Sequence, residues 1–253
     1  MDPILFFCHK HQQNILNGLD SQREAPARED LERMIQGLRG WRVLFKALRS
    51  ARPHWRPHPD HQESLKRLLT ISENLADLYL QADILKETEV ITGMDLSYLH
   101  QYTMDLAVKA QKVLDKHLIR FDDQFPLQYG EYLTGQLAKD DPGLLHNQMV
   151  QFTYKKIKKA LKRLSKKDGV KKMSKLRRQL IDTHCLLDLV DFEDFYGSGS
   201  LKNASLFLEI WHNRSVCLQV IDRYRKEHPG QACRYRGTME IMEDYMQHKA
   251  GIT

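Results

Sequence analysis

The chain of 253 residues carries 39 Lys and Arg against 33 Asp and Glu, a formal net charge of +6, and 42% of its residues are hydrophobic. Such a chain can bury a core as one large domain or two small ones, and its composition argues against disorder. Its four cysteines show no paired spacing, and no leader pattern or apolar run of about 18 residues occurs, so we expect free thiols, a cytoplasmic location and no membrane span.

Helical periodicity dominates the chain, because apolar residues recur three and four positions apart and strand signals are nearly absent. The pattern predicts nine helices, over 3–19, 28–50, 61–92, 95–121, 127–138, 143–167, 170–191, 200–227 and 233–249. Stretches rich in helix breakers separate them, such as ARPHWRPHPD at 51–60 and DDPG at 140–143.

The second predicted helix carries an apolar stripe beside a basic row. The stripe consists of Leu31, Met34, Leu38, Trp41, Phe45 and Leu48. The residues one position later are Glu32, Ile35, Arg39, Arg42, Lys46 and Arg49. One residue corresponds to about 100° of helix rotation, so this second row flanks the buried face. It can line a groove between helices, or it can be a solvated face whose stems cover the edge of the core.

Positive charge is concentrated in the segment 154–179, YKKIKKALKRLSKKDGVKKMSKLRRQ. This segment holds thirteen Lys or Arg and one acid, Asp168, so its net charge is +12 and the rest of the chain sums to −6. Lysine occurs on several helix faces here, so part of the charge faces water. Lys155, Lys159 and Lys162 lie at steps of 4 and 3, and we expect them to extend one basic surface.

The helix over 170–191 repeats the plan of the second helix. Its apolar stripe is Met173, Leu176, Leu180 and Leu187, and a shift of 142 residues places Leu31, Met34, Leu38 and Phe45 on these positions. Its leading turns carry Lys171, Lys172, Lys175, Arg177 and Arg178. The repetition predicts two halves of about four helices each, over about 1–125 and 126–253, related by a pseudo-twofold.

Several stretches resemble motifs of the CHAD domain family. LERMIQGLRGWRVLF at 31–45 fits the first-half motif at Leu31, Arg39, Trp41 and Arg42, with Glu32 at the family histidine and Gly40 at a basic position. MSKLRRQLID at 173–182 fits the second-half motif at Lys175, Leu176, Arg177, Arg178 and Asp182, with Ser174 at the histidine. EIWHNRSV at 209–216 is similar to a late motif at Trp211, His212 and Val216, and LADLYLQADIL at 75–85 is its weaker first-half counterpart.

The resemblance implies an all-α fold, a single CHAD-like domain of two antiparallel four-helix bundles. It also implies binding of inorganic polyphosphate, or another polyanion, through basic side chains in a cleft between the halves. The predicted binding residues are Arg39, Arg42, Lys46, Arg49, Lys155, Lys159, Lys162, Lys171, Lys175, Arg177 and Arg178. Because a carboxylate repels phosphate, Glu32 at the histidine position predicts a weaker site in the first half.

Two other functions stay open from the residues alone. Nucleic acid would use the same positive charge, although the Lys-rich segment holds one aromatic residue, Tyr154, and base stacking normally needs several. The segment can also be the solvated face of a helical interaction scaffold. Indifference to the identity of bases would distinguish polyphosphate from nucleic acid as the partner.

No catalytic signature stands out, and we expect a protein without enzymatic activity, cofactor or metal. Some CHAD domains are fused to a triphosphatase domain with an E-x-E-x-K signature, but ETEVI at 87–91 lacks its basic residue. His54, His58, Asp60 and His61 lack the second ligand pair of a structural metal site, so ordinary loop and core histidines are the interpretation here and in CHKH at 8–11. Association with polyphosphate granules is the finer expectation for location.

Overall fold

The helical periodicity of the sequence is realised in a computed structural model, which describes residues 2–24, 26–53, 59–121, 124–139, 141–164, 170–190 and 198–250. These ranges contain ten helices and no strand. The helices are α1 (Pro3–Glu24), α2 (Arg28–Ala51), α3 (Pro59–Thr92), α4 (Ser97–Ile119), α5 (Gln124–Leu137), α6 (Pro142–Leu164), α7 (Val170–Leu189), α8 (Ser198–Glu227), α9 (Pro229–Arg234) and α10 (Arg236–Ala250). The predicted all-α class is confirmed.

The last predicted helix, over 233–249, is two helices in the structure. The backbone leaves helical geometry at Tyr235, where φ is −102° and ψ is 17°, and α10 begins one residue later. The short α9 begins earlier than predicted, because Pro229 occupies the first helical position, where its missing N–H costs no hydrogen bond.

The helices form two compact units, which do not follow the two sequence halves. One unit comprises Met1–Ser72 and Leu114–Ser205, and the other comprises Glu73–Val113 and Leu206–Thr253. The boundaries fall within α3, α4 and α8, so each unit combines residues from both halves of the chain. The internal duplication about residue 125 stays a prediction.

The first unit is built around α2. Helix α1 packs on α2 and α5, and α2 also packs on α6 and α7. The predicted stripe of α2, from Leu31 to Leu48, is buried at every position. The Trp41 Nε1–H donates to the Cys8 carbonyl oxygen at 3.3 Å, and the ring of Tyr129 packs edge-on against Trp41 and Phe45. The stripe on α7 is less complete, since Leu176 and Leu180 are buried while Met173 and Leu187 are half-buried.

Glycines allow α1 and α2 to approach closely. A Cβ atom added at Gly40 would lie 2.3 Å from Cγ of the buried His11, and one at Gly18 would lie 2.4 Å from Cβ of Met34. Neither distance leaves room for a side chain. The close approach of α1 therefore explains why position 40, a basic position of the CHAD motif, is a glycine in this chain: His11 fills the space that a side chain would need.

The second unit has an aromatic core between α4 and α8. Tyr98 stacks on Tyr235 with a centroid distance of 4.0 Å, and Tyr224 packs edge-on against Tyr102. The Tyr102 hydroxyl donates to Glu227 at 2.8 Å. In the same unit, Trp211 of the late motif is buried, and His212 lies 3.4 Å from Asp77, so the two motif counterparts at 209–216 and 75–85 contact each other.

The cysteines form no disulfide, as their unpaired spacing predicted. All four cysteines carry free thiols, and burial raises the pKa of Cys8 to about 12. Across the described ranges, no helix combines the length and the apolar character that crossing a membrane requires.

Candidate functional site

The centre of the candidate site is an ion-pair cluster that joins α2 to α7. The guanidinium of Arg42 donates from Nη2 to Oδ1 of Asp182 at 2.7 Å, and the Lys46 ammonium donates to Oδ2 at 2.6 Å. The Asp182 side chain is 21% exposed and that of Arg42 is 32% exposed. One carboxylate of the second half therefore holds two cations of the first-half basic row.

A basic cleft of about 390 Å³ lies beside this cluster, between α2, α6 and α7, and we call it the α6–α7 cleft. Among the described residues, six of the side chains that line it are cationic and one, Asp182, is acidic. The cations are Lys46, Lys156, Lys159, Arg163, Lys175 and Arg178. Arg163 also donates a hydrogen bond to the Gln179 side chain across the cleft. With one carboxylate against six cations, the cleft has a formal charge of +5 and is suited to an anion.

Burial and the like charges of the α6–α7 cleft both perturb the pKa of Lys156. Burial lowers the pKa of Lys156, the nearby ammonium groups of Lys159 and Lys46 lower it further, and Asp182 opposes them. The Lys156 Nζ also lies 4.9 Å from the ring centroid of Phe152. A bound anion would favour the charged form of Lys156, because an opposite charge nearby raises the pKa of an amine.

A second cleft of about 430 Å³ lies between α2 and α3, and we call it the α2–α3 cleft. Arg42, Lys46, Arg49 and Lys66 line it, together with the acidic Glu63. Glu63 lies 3.2 Å from the Lys66 ammonium on the same helix, so this cleft is less strongly positive than the α6–α7 cleft.

The structure brings together part of the predicted binding set. Lys46, Lys159, Lys175 and Arg178 share the α6–α7 cleft, and Arg42 and Arg49 line the α2–α3 cleft. Arg39, Lys162 and Arg177 line neither cleft, and Lys155 lines an apolar pocket between α6 and α7 instead. The side chain of Lys171 lies outside the described part of the chain.

Lys156 and Arg163 line the α6–α7 cleft but are not among the residues predicted from the sequence. The predicted row on α6, Lys155, Lys159 and Lys162, shares Lys159 with the row that borders the cleft. The buried side of α6 includes Met149, Thr153, Ile157 and Ala160. The row that borders the cleft is Phe152, Lys156, Lys159 and Arg163, at steps of 4, 3 and 4. Lys155 and Lys162 lie about 100° away from their neighbours in this row, so they point elsewhere. The apolar side chain of Phe152, at the start of this row, is the one feature of the sequence that could have identified the row.

Glu32 has a different neighbour from the one expected. Its carboxylate lies 3.3 Å from Nε of Arg28, one turn earlier on α2, and it lines neither cleft. Arg39 lies seven positions after Glu32, which corresponds to about 10 Å along the helix axis. The prediction that Glu32 weakens a first-half site stays a prediction.

The histidines of CHKH have structural surroundings. His11 is buried against Phe7 with a ring-centroid distance of 4.2 Å, and burial, with Lys10 contributing, lowers its pKa to about 4. His9 lies 3.2 Å from the Thr134 hydroxyl. The side chains of His54, His58, Asp60 and His61 fall outside the described residues, and the described ones include no cluster of three or more potential metal ligands.

The fold has a counterpart among solved structures. A crystal structure of the CHAD domain from the plant Ricinus communis superposes on this chain with a TM-score of 0.75 at 15% sequence identity, covering 99% of this chain and 86% of that one. No family model and no curated protein matches the sequence. The chain therefore has the fold of a CHAD domain, as the sequence motifs predicted.

Proposed function

We propose that the protein is a non-catalytic binder of inorganic polyphosphate, with the α6–α7 cleft as its main site. The observation that carries this proposal is the gathering of six cations against one carboxylate in a single cleft of one unit. The fold and the motif resemblance to CHAD domains support the same ligand. A cytoplasmic location, with association with polyphosphate granules, belongs to the same proposal.

The chemistry of polyphosphate suits such a cleft. The ligand is a flexible polyanion with about one charge per phosphate and no bases, so recognition rests on the density of cations. Arg offers bidentate forks to phosphate oxygens, and Lys supplies a point charge. Affinity then comes largely from release of counterions, as it does with nucleic acid backbones.

Nucleic acid is the alternative partner, and one contact argues against it. Phe152 is the aromatic side chain among the residues that line the α6–α7 cleft, and the Lys156 ammonium lies close to its ring. A cation over an aromatic face occupies the position that a base would need for stacking. The described lining of the cleft thus offers charge without a stacking platform.

The test is a binding titration at several salt concentrations, with long-chain polyphosphate and with single-stranded DNA of matched charge. We expect tighter binding to polyphosphate, no dependence on base sequence, and a loss of about two from the log–log salt slope in Lys159→Gln/Arg178→Gln. Lys109→Gln/Lys112→Gln is the control, since these exposed lysines of α4 line neither cleft. A wild-type protein that prefers one DNA sequence over polyphosphate would contradict the proposal.

A further inference from the structure

The two clefts share a border that is made of the ion-pair cluster itself. Lys46 lines both clefts. Arg42 lines the α2–α3 cleft and donates to Asp182, which lines the α6–α7 cleft. The two clefts are therefore adjacent at this cluster, and a linear anion that fills one cleft is placed to continue past Lys46 into the other.

The border favours the passage of a polyanion. Both oxygens of Asp182 already accept hydrogen bonds, from Arg42 and Lys46, so its negative charge is matched by two cations. Each cation keeps further donors, because an ammonium has three N–H groups and a guanidinium has five. Nε of Arg42 is buried, whereas Lys46 is exposed, so a phosphate chain that crosses here would meet the free donors of Lys46 and a net positive charge.

The clefts differ in strength. Among the described residues, the α6–α7 cleft has six cations against one carboxylate, whereas the α2–α3 cleft has four against one, and Lys66 of that set is already paired with Glu63. A short anion will therefore occupy the α6–α7 cleft first. The α2–α3 cleft is suited to a segment that is already tethered, since tethering raises its effective concentration and a weak contact then adds to affinity.

We propose, on the basis of the proposed function, that the protein selects long polyphosphate chains through these two clefts. A short chain binds in the α6–α7 cleft alone, and a longer chain continues across Lys46 into the α2–α3 cleft. Affinity should then rise at the chain length that reaches the second cleft, because a tether too short to span two sites gives no gain.

The experiment measures affinity across a ladder of polyphosphate chain lengths, from tripolyphosphate upward, for the wild type and for Arg49→Gln/Lys66→Gln. Both substituted side chains are exposed and line the α2–α3 cleft away from Asp182. We expect the two curves to coincide for short chains and to separate by about tenfold above a threshold length, since two exposed ionic contacts have about that value. Arg49→Lys/Lys66→Arg, which keeps both charges, should follow the wild type.

The outcomes separate the inference from the function on which it rests. Curves that coincide at every length, or that differ equally at every length, would overturn the two-cleft inference while the binding function stands. Lys159→Gln/Arg178→Gln should weaken binding at all lengths, because the α6–α7 cleft is used by every chain. A wild-type protein that binds no chain of the ladder would instead overturn the proposed function. Thermal unfolding of each variant checks that the folded state is retained.

Discussion

A single contact, with His11, explains why a glycine occupies position 40, where the CHAD motif has a basic residue. Its Cα faces the ring of His11 so closely that an added Cβ would overlap the imidazole. In an open helix position, Gly→Ala stabilises by about 1 kcal/mol. At Gly40 the overlap should reverse the sign, because overpacking of a filled core costs about 1–3 kcal/mol.

The corresponding prediction compares two glycines by urea denaturation. Gly40→Ala should lower the free energy of unfolding by about 1–3 kcal/mol. Gly135→Ala, at an exposed position of α5 with open space around its Cα, should raise it by about 0.5–1 kcal/mol. Equal stabilisation in both variants would contradict the close packing of α1 on α2.

The buried imidazole of His11 should make the stability depend on pH, since burial holds its pKa at about 4, below the ordinary value of 6.5. Between these values the unfolded chain binds a proton that the folded chain does not, so this contribution to stability is complete above about pH 6.5 and is lost as the pH falls toward 4. The loss should approach about 3 kcal/mol.

Denaturation at pH 7 and pH 4.5, for the wild type and for His11→Phe, isolates the contribution of this histidine from that of the carboxylates. Both proteins will lose stability in acid, and the wild type should lose more. An identical loss in the two proteins would mean that His11 is charged in the folded state.

Among the helices, Asp182 links α7 to α2 through its bonds to Arg42 and Lys46. A bound anion would compete with Asp182 for these two cations. Asp182→Asn removes the competing charge and keeps the shape of the side chain. Affinity for polyphosphate should rise roughly fivefold, the effect of about 1 kcal/mol of Coulomb energy. Without the anion, the variant should be less stable by about 1 kcal/mol, because two neighbouring cations lose their partner.

The measurement is unfolding with and without saturating polyphosphate, together with a binding titration. Asp188→Asn, at an exposed position of the same helix, removes an equal charge without a bond to Arg42 or Lys46 and should change neither quantity. Weaker binding by Asp182→Asn would indicate that Asp182 orients the two cations for the ligand and does not compete with it.

Across the whole molecule, we expect polyphosphate to contact the α6–α7 cleft and not every basic side chain. Amine acetylation read by mass spectrometry, with and without long polyphosphate, addresses each lysine separately. We expect protection of Lys46, Lys156, Lys159 and Lys175, which line the α6–α7 cleft. A bound phosphate chain both covers these amines and favours their protonated, unreactive form.

Lys155, Lys109 and Lys112 serve as internal controls, since they line neither basic cleft. Lys155 and Lys156 are neighbours in sequence and carry equal charge, so a difference between them reports the register of α6 and not overall attraction. Equal protection of every lysine would place the ligand on a diffuse surface and contradict the cleft.

The helical class, most helix positions and the buried stripe of α2 could be predicted from the sequence. These features depend on local periodicity, and apolar side chains from Leu31 to Leu48 are buried in any arrangement that gives the helix a core. The motifs, which lie in order along most of the chain, predicted the CHAD fold, and the match to a solved CHAD structure agrees with them.

Which cations share a cleft could not be predicted from the sequence, because it depends on how the helices pack. Helix α6 carries lysine on several faces, so its sequence permits Lys155 or Lys156 to border the site, and the packing of α6 on α2 and α7 selects Lys156. The bonds from Asp182 to Arg42 and Lys46 join residues about 140 positions apart. The two compact units likewise combine residues from both halves of the chain. Such contacts depend on how helices pack in three dimensions, which local periodicity does not specify.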